Sequence, residues 1–148
     1  MSDMITWVEP QMTILRGRLR PNFADDDRFN AAWWGQNAGI GPPAHQWRSY
    51  IRRGEEAARL LLSFSFRTHS LDSAERALMI WSFEVRQDLR CSGSYVGTNI
   101  INQLVDEYRD REIYIGSSPS SATFWARFGW PMCDCDECEG RGFIVHRP

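Results

Sequence analysis

FEVRQDLRCSGSYVGTNIINQLVDEY, residues 83–108, is followed by EIYIGS at 112–117 and SPSSATFWARFGW at 118–130. An apolar strand runs into a turn of Arg and small residues, and the turn opens an amphipathic helix whose face is Ile100, Ile101, Leu104 and Val105. A short apolar strand follows, and then a Ser-Pro start leads into an aromatic helix closed by Phe-Gly-Trp. The order matters because a turn of small residues at a helix N-terminus suits a pyrophosphate. Unpaired backbone N–H groups point outward there, and the helix dipole favours negative charge.

Working outward, residues 77–85 (ALMIWSFEV) are nearly continuously apolar, as a central strand requires. Residues 60–67 (LLLSFSFR) alternate apolar with Ser and predict a second strand. Residues 13–19 (TILRGRL) read as a first strand that Gly17 weakens, and 47–52 as a short strand or helix end before an Arg53-Gly54 turn. Asp25, Asp26 and Asp27 open a helix with Phe29, Ala32 and Trp33 at helical spacing. Residues 35–43, with three Gly and two Pro, predict a loop bordering a substrate site or serving as a plain connection. Near the end, Glu112 to Ile115 form a short strand, and Ser118 caps a helix with Pro119 at its first position and Gly129 past its end. Residues 143–146 read as a last strand paired in a hairpin with 131–133. The expected class is mixed α/β (α+β): one domain over residues 1–148, a central mixed sheet flanked by helices, and a Cys-rich terminal hairpin at 131–148.

Composition narrows the function. A formal charge of −2 argues against a nucleic-acid partner. No apolar run is long enough to span a membrane, and the N-terminal residues lack a signal-peptide layout, so a cytoplasmic location is expected. All seventeen basic residues are Arg. Codon usage alone would produce this, although Arg also suits bidentate phosphate contacts better than Lys.

The residues from 83 to 130 resemble the Gcn5-related N-acetyltransferase (GNAT) family, and the likeness extends over roughly the last two thirds of the chain. The family signature is a strand ending in Val, then Arg or Gln, two residues, Gly, one residue, and Gly or Ala. A later helix of the type Asn-x-x-Ala-x-x-Phe-Tyr closes on Gly-Phe. Here Val85 precedes Arg90-Cys91-Ser92-Gly93 at the expected spacing, and Ser121, Ala122, Phe124, Trp125 and Gly129-Trp130 match the second half. The resemblance implies acetyl-CoA, or another acyl-CoA, as cofactor and an amine as acceptor. It implies that the pyrophosphate sits on Arg90, Cys91, Ser92, Gly93, Ser94, Tyr95, Val96 and Gly97, with Val85 and Arg86 backbone groups along the pantetheine. Ser118, Ser121, Phe124 and Trp125 complete the coenzyme side.

Three departures stand out. Tyr95 occupies the place of the second Gly, with Gly97 the next available; Ser118 stands where the family often has Asn. Trp125 takes the position of the Tyr that protonates the leaving thiolate, a role an indole N–H cannot fill. Positioning of the amine can still supply about 7–11 kcal/mol of barrier lowering. Glu84 is the expected base, as the carboxylate of the central strand, unless its alternating face turns it towards an Arg. Tyr95 is a second catalytic candidate, and a backbone N–H near Val85 the expected oxyanion donor.

Cys133, Cys135 and Cys138 are clustered, and His146 follows eight residues later. Three thiolates and an imidazole would make a closed, structural Zn²⁺ site; reduced thiols without metal are the other reading. Among the seven Trp, Trp81 and Trp130 read as core, while Trp33, Trp34 and Trp47 either pack internally or line an apolar, planar acceptor pocket. Arg48, Arg52 and Arg53 read as a solvated face. The leading expectation is an acyl-CoA-dependent N-acyltransferase. A non-catalytic acyl-CoA or partner-binding module and a zinc-stabilised adaptor remain alternatives, and the oligomeric state stays open.

Overall fold

The computed structural model describes residues 4–34, 45–64, 77–116, 118–134 and 142–148. In chain order the elements are β1 (Ile5–Val8), β2 (Met12–Leu15), β3 (Arg18–Pro21), α1 (Ala31–Trp34), β4 (His45–Arg52), β5 (Glu55–Ser63), β6 (Ala77–Val85), a 3₁₀ turn (Gln87–Leu89), α2 (Val96–Glu107), β7 (Glu112–Gly116), α3 (Ala122–Ala126) and β8 (Phe143–His146). One mixed sheet has the order β1-β4-β5-β6-β7-β8, antiparallel throughout except for the parallel β6–β7 pair; β2 and β3 form a separate hairpin. Among the described residues no helix is long and apolar enough to cross a membrane.

The core lies where α2 covers the sheet. Ile100, Ile101 and Leu104 from the helix pack with Leu60, Leu62, Leu78, Ile80 and Ile113 from the strands, all essentially without solvent contact. Each such side chain contributes about 1.5–3 kcal/mol through burial. A second cluster on the other side of the sheet joins Ala77, Met79, Tyr114, Val145 and Cys133. A third joins Phe29, Trp34, Trp47 and Leu61.

One irregularity in β6 controls everything downstream. Leu62 pairs with Ile80 but Leu61 pairs with Ser82, so Trp81 is an extra, bulged residue. The bulge shifts the alternation by one residue. Leu78 and Ile80 face α2 before it, Phe83 and Val85 face α2 after it, and Ser82 and Glu84 turn to the opposite side.

Several expectations need adjustment. The predicted strand at 13–19 is the β2–β3 hairpin, turning at Arg16 and Gly17, both with positive φ. The helix after the Asp run is a single turn, because Asp26 spends its carboxylate on the backbone and side chain of Arg28. Residues 47–52 are strand, closed onto β5 by the Arg53-Gly54 turn, again with positive φ. Arg48 is not solvated: its guanidinium lies 3.9 Å from the Trp7 ring centroid and pairs with Glu107 at 2.8 Å. β8 pairs chiefly with β7, and residues 131–133 reach it through the Met132–Ile144 bridge. The loop at 35–43 lies outside the described residues.

Candidate active site

Strands β6 and β7 pair only from Ala77 to Ile80 and from Glu112 to Ile115. Beyond that point β6 runs on through Val85 paired with β5 alone, so the sheet opens into a cleft on its β7 side. The chain then turns through Arg90 to Tyr95 into α2. Cys91, Gly93 and Tyr95 all adopt positive φ here, which is costly for the two non-glycine residues and curls the turn tightly. Ser92 and Ser94 donate to the Leu89 carbonyl at 2.8 and 3.0 Å, bracing the turn from within. The first intrahelical bond is Asn99 N–H to Tyr95 O, so the amides of Val96, Gly97 and Thr98 belong to the unpaired first turn. These amides fit a pyrophosphate.

Gly97 has a separate reason to be glycine. A Cβ there would approach Phe124 Cε2 to 3.0 Å and Val85 Cγ2 to 3.1 Å, so its missing side chain lets α2, β6 and α3 meet. The displaced glycine of the signature thus serves packing.

A cavity of about 440 Å³ fills the cleft, within the usual range for small-ligand sites. Ile115, Gly116, Ser118, Ser121 and Trp125 line the end formed by β7 and the approach to α3, and Ala32, Trp33, Trp47 and Leu61 the other. Trp81, Ser82 and Phe83 form the wall between, all at or just after the bulge. Trp33 and Trp81 are half exposed, whereas Trp34 and Trp47 are buried. The core assignment of Trp81 is therefore overturned: the bulge ejects it from the alternation into the cleft. Trp47 carries the one buried side-chain polar atom among the described residues without a hydrogen-bond partner, its indole Nε1–H.

Glu84 has another task than the one its sequence position implies. It is 7% exposed and outside the cavity lining. Its Oε1 accepts from Asn30 N–H at 2.9 Å and Trp34 Nε1–H at 2.8 Å, and its Oε2 accepts from Arg90 Nη2–H at 2.7 Å. A carboxylate so engaged is a tether and not a free base. Tyr95 is 64% exposed at the start of α2 and likewise does not line the cavity. Among the described lining residues there is no carboxylate, imidazole or phenol.

The two backbone groups that could be placed along pantetheine are also engaged. Arg90 Nε–H donates to Val85 O at 2.7 Å, and Arg86 N–H donates to Ala57 O at 2.8 Å. The Arg86 side chain turns away to Asp88 and Glu55. Ser118 and Ser121 lie at the cleft, with their hydroxyls 3.0 Å apart. Phe124 abuts Gly97, and Trp125 stacks among Phe83, Phe128 and Trp130, in the place where a thiolate acid was expected.

The proposed zinc ligands do not converge in the described part of the chain. Cys133 is buried beside Tyr114 and Val145, with Arg147 Nη2 3.8 Å from its sulfur. His146, one residue on from Val145, points to the opposite face and stacks on Trp130 at 5.4 Å. Cys135 and Cys138 lie outside the described residues, and among the described residues no group of three metal-ligating side chains forms.

The sequence matches no family model and no curated protein. Solved structures do match. The Bacillus subtilis N-acetyltransferase YlbP in complex with coenzyme A has 16% identity and a TM-score of 0.53, covering 69% of this chain and 67% of that one. An acetyltransferase of the GNAT family from Staphylococcus aureus has 14% identity and a TM-score of 0.51, covering 70% and 67%. The ribosomal-protein-S18-alanine N-acetyltransferase from Escherichia coli has 12% identity and a TM-score of 0.51, covering 96% and 91%. The chain spans about two thirds of the length of the first two. Its fold is that of the GNAT acetyltransferases.

Proposed function

We propose that this chain is an acyl-CoA-dependent N-acyltransferase that acetylates a planar, weakly basic amine. The observation that carries the reading is the continuity of the cleft: one cavity runs from the parting of β6 and β7, past the Ser118–Ser121 turn and Trp125, to the indoles of Trp33 and Trp47. When bound, acetyl-CoA supplies the activated acyl group as a thioester. The amides at the start of α2 hold its pyrophosphate, and the Ser118–Ser121 turn with Trp125 borders its acyl end.

At the acceptor end, Trp33 and Trp81 offer faces to a planar ring, and Leu61 and Trp47 exclude water. Trp81 has no partner in the register of either neighbouring strand. The backbone N–H of Trp81, and not one near Val85, is then the donor for charge developing in the cleft. An amine already neutral near pH 7 matches the uncharged described lining; its proton passes to water after attack. A structural Zn²⁺ at the Cys-rich end would need as a ligand Cys133, which is buried beside Tyr114 and Val145.

Calorimetry with coenzyme A, followed by thiol release from acetyl-CoA over planar aromatic and aliphatic amines, tests the reading. Binding with turnover on the planar amines is expected. No coenzyme binding would sink the proposal, and binding without turnover on any amine would leave the non-catalytic module. Preference for aliphatic amines would overturn the acceptor class alone.

A further inference from the structure

We infer that Glu84 is a positioning residue that couples occupancy of the coenzyme turn to the acceptor wall, through Arg90 on one side and α1 on the other. The inference rests on the acyl-CoA reading above.

Glu84 is buried, yet its four shortest contacts come from two separate parts of the chain. Asn30 N–H reaches both oxygens, at 2.9 and 3.2 Å, and Trp34 Nε1–H reaches one at 2.8 Å; both belong to the segment carrying Ala32 and Trp33 into the cavity lining. Arg90 Nη2–H reaches the other oxygen at 2.7 Å from the first residue of the turn that opens α2. A second tie runs parallel to this one, since Gln87 N–H donates to Arg28 O at 3.1 Å. The acceptor wall is thus bonded to the coenzyme turn.

The Arg90 side chain is 47% exposed and only partly used. Nε is fixed on Val85 O and one Nη2 hydrogen on Glu84, which leaves further N–H groups of the fork for an anion. A phosphate on those groups restricts the guanidinium without displacing it from Glu84. The carboxylate is then held in one position, and so are the Asn30 and Trp34 donors that fix α1. Coenzyme binding orders the wall holding Trp33 before the acceptor arrives. By linkage, an acceptor on that wall tightens the coenzyme by the same factor.

The experiment is hydrogen exchange of full-length protein with saturating coenzyme A, read at the Asn30 amide and the peptide spanning residues 29–34. In the wild type, coenzyme A is expected to slow exchange there, although this segment does not form the coenzyme turn. Arg90→Gln should bind coenzyme A about ten- to hundredfold more weakly through loss of one charge-assisted contact. At saturation it should show no added protection at 29–34. Glu84→Gln should lose the same protection while retaining most of its coenzyme affinity, and Arg90→Lys should restore part of it. Equal protection in wild type and Arg90→Gln, or none in a wild type that binds coenzyme A, overturns the coupling alone. Failure of the wild type to bind coenzyme A overturns both the coupling and the acyl-CoA reading. Should either variant fail to fold, the Arg90→Lys comparison still decides, because a purely structural tether predicts faster exchange in that variant to the same extent with and without coenzyme A.

Discussion

Single residues set the shape of the cleft. Gly97 shows how: its place in sequence argues for close approach to phosphate, but its neighbours are Phe124 and Val85 at 3.0 and 3.1 Å from a notional Cβ. Gly97→Ala is expected to cost about 1–3 kcal/mol by overpacking. A lowered denaturation midpoint with unchanged slope in urea would confirm it; a neutral effect would show that α3 yields. Trp81 is the opposite case, half exposed at the bulge and touching the cavity. Trp81→Ala should leave stability within about 0.5 kcal/mol and raise the KM for the acceptor amine while the coenzyme KM holds. A large fall in Tm instead would return Trp81 to the core. Neither role could be assigned by residue type, because both depend on what the neighbouring elements bring near.

At the scale of elements, the legible parts are those whose pattern repeats. β6 and α2 were readable because a continuous apolar run and a helical face each report burial directly. The approach to α1 is ambiguous in sequence, since three successive Asp favour a helix start as strongly as they favour a local turn. The turn prevails: Asp26 binds the Arg28 backbone and guanidinium, and these bonds hold its carboxyl down at about 2, below the ordinary 3.8. A carboxyl with a depressed folded-state pKa contributes stability above its unfolded value and loses it as pH falls through the folded one. The wild type should therefore be more stable than Asp26→Asn above about pH 4, and the difference should vanish as pH drops towards 2. Thermal melts of both proteins across that range measure it; a difference independent of pH would remove the charge from the explanation.

At the scale of the whole molecule, the sheet separates two residues that the sequence groups at the Cys-rich end. Cys133 and His146 are close in chain order to a common metal set, but the sheet assigns them to opposite faces of β8. Cys133→Ala removes a buried sulfur packed against Tyr114 and Val145 and in reach of Arg147, and is expected to lower Tm by several degrees, about 0.5–3 kcal/mol. EDTA should leave the wild-type Tm unchanged. A fall on chelation that Zn²⁺ reverses would restore the metal site. The sheet also explains why Glu84 was read as a base. Its position on the central strand was legible, but the one-residue shift at Trp81 was not, and that shift decides which way the carboxylate points.

The sequence alone determined the order strand, tight turn, helix, strand, helix, because apolar periodicity and cap residues are local signals that survive without tertiary information. It also marked Arg90 to Gly97 as the tight turn that opens α2. Only the tertiary structure decided where β6 and β7 part, that Trp81 leaves the core, and that Glu84 joins Arg90 to Asn30 and Trp34. Those features are relations between segments more than fifty residues apart in places, and a bulge flips side-chain faces without any mark in composition. The turn that opens α2 is written in one continuous stretch; the aromatic end of the cavity exists only once the sheet has brought Trp33, Trp47 and Trp81 together.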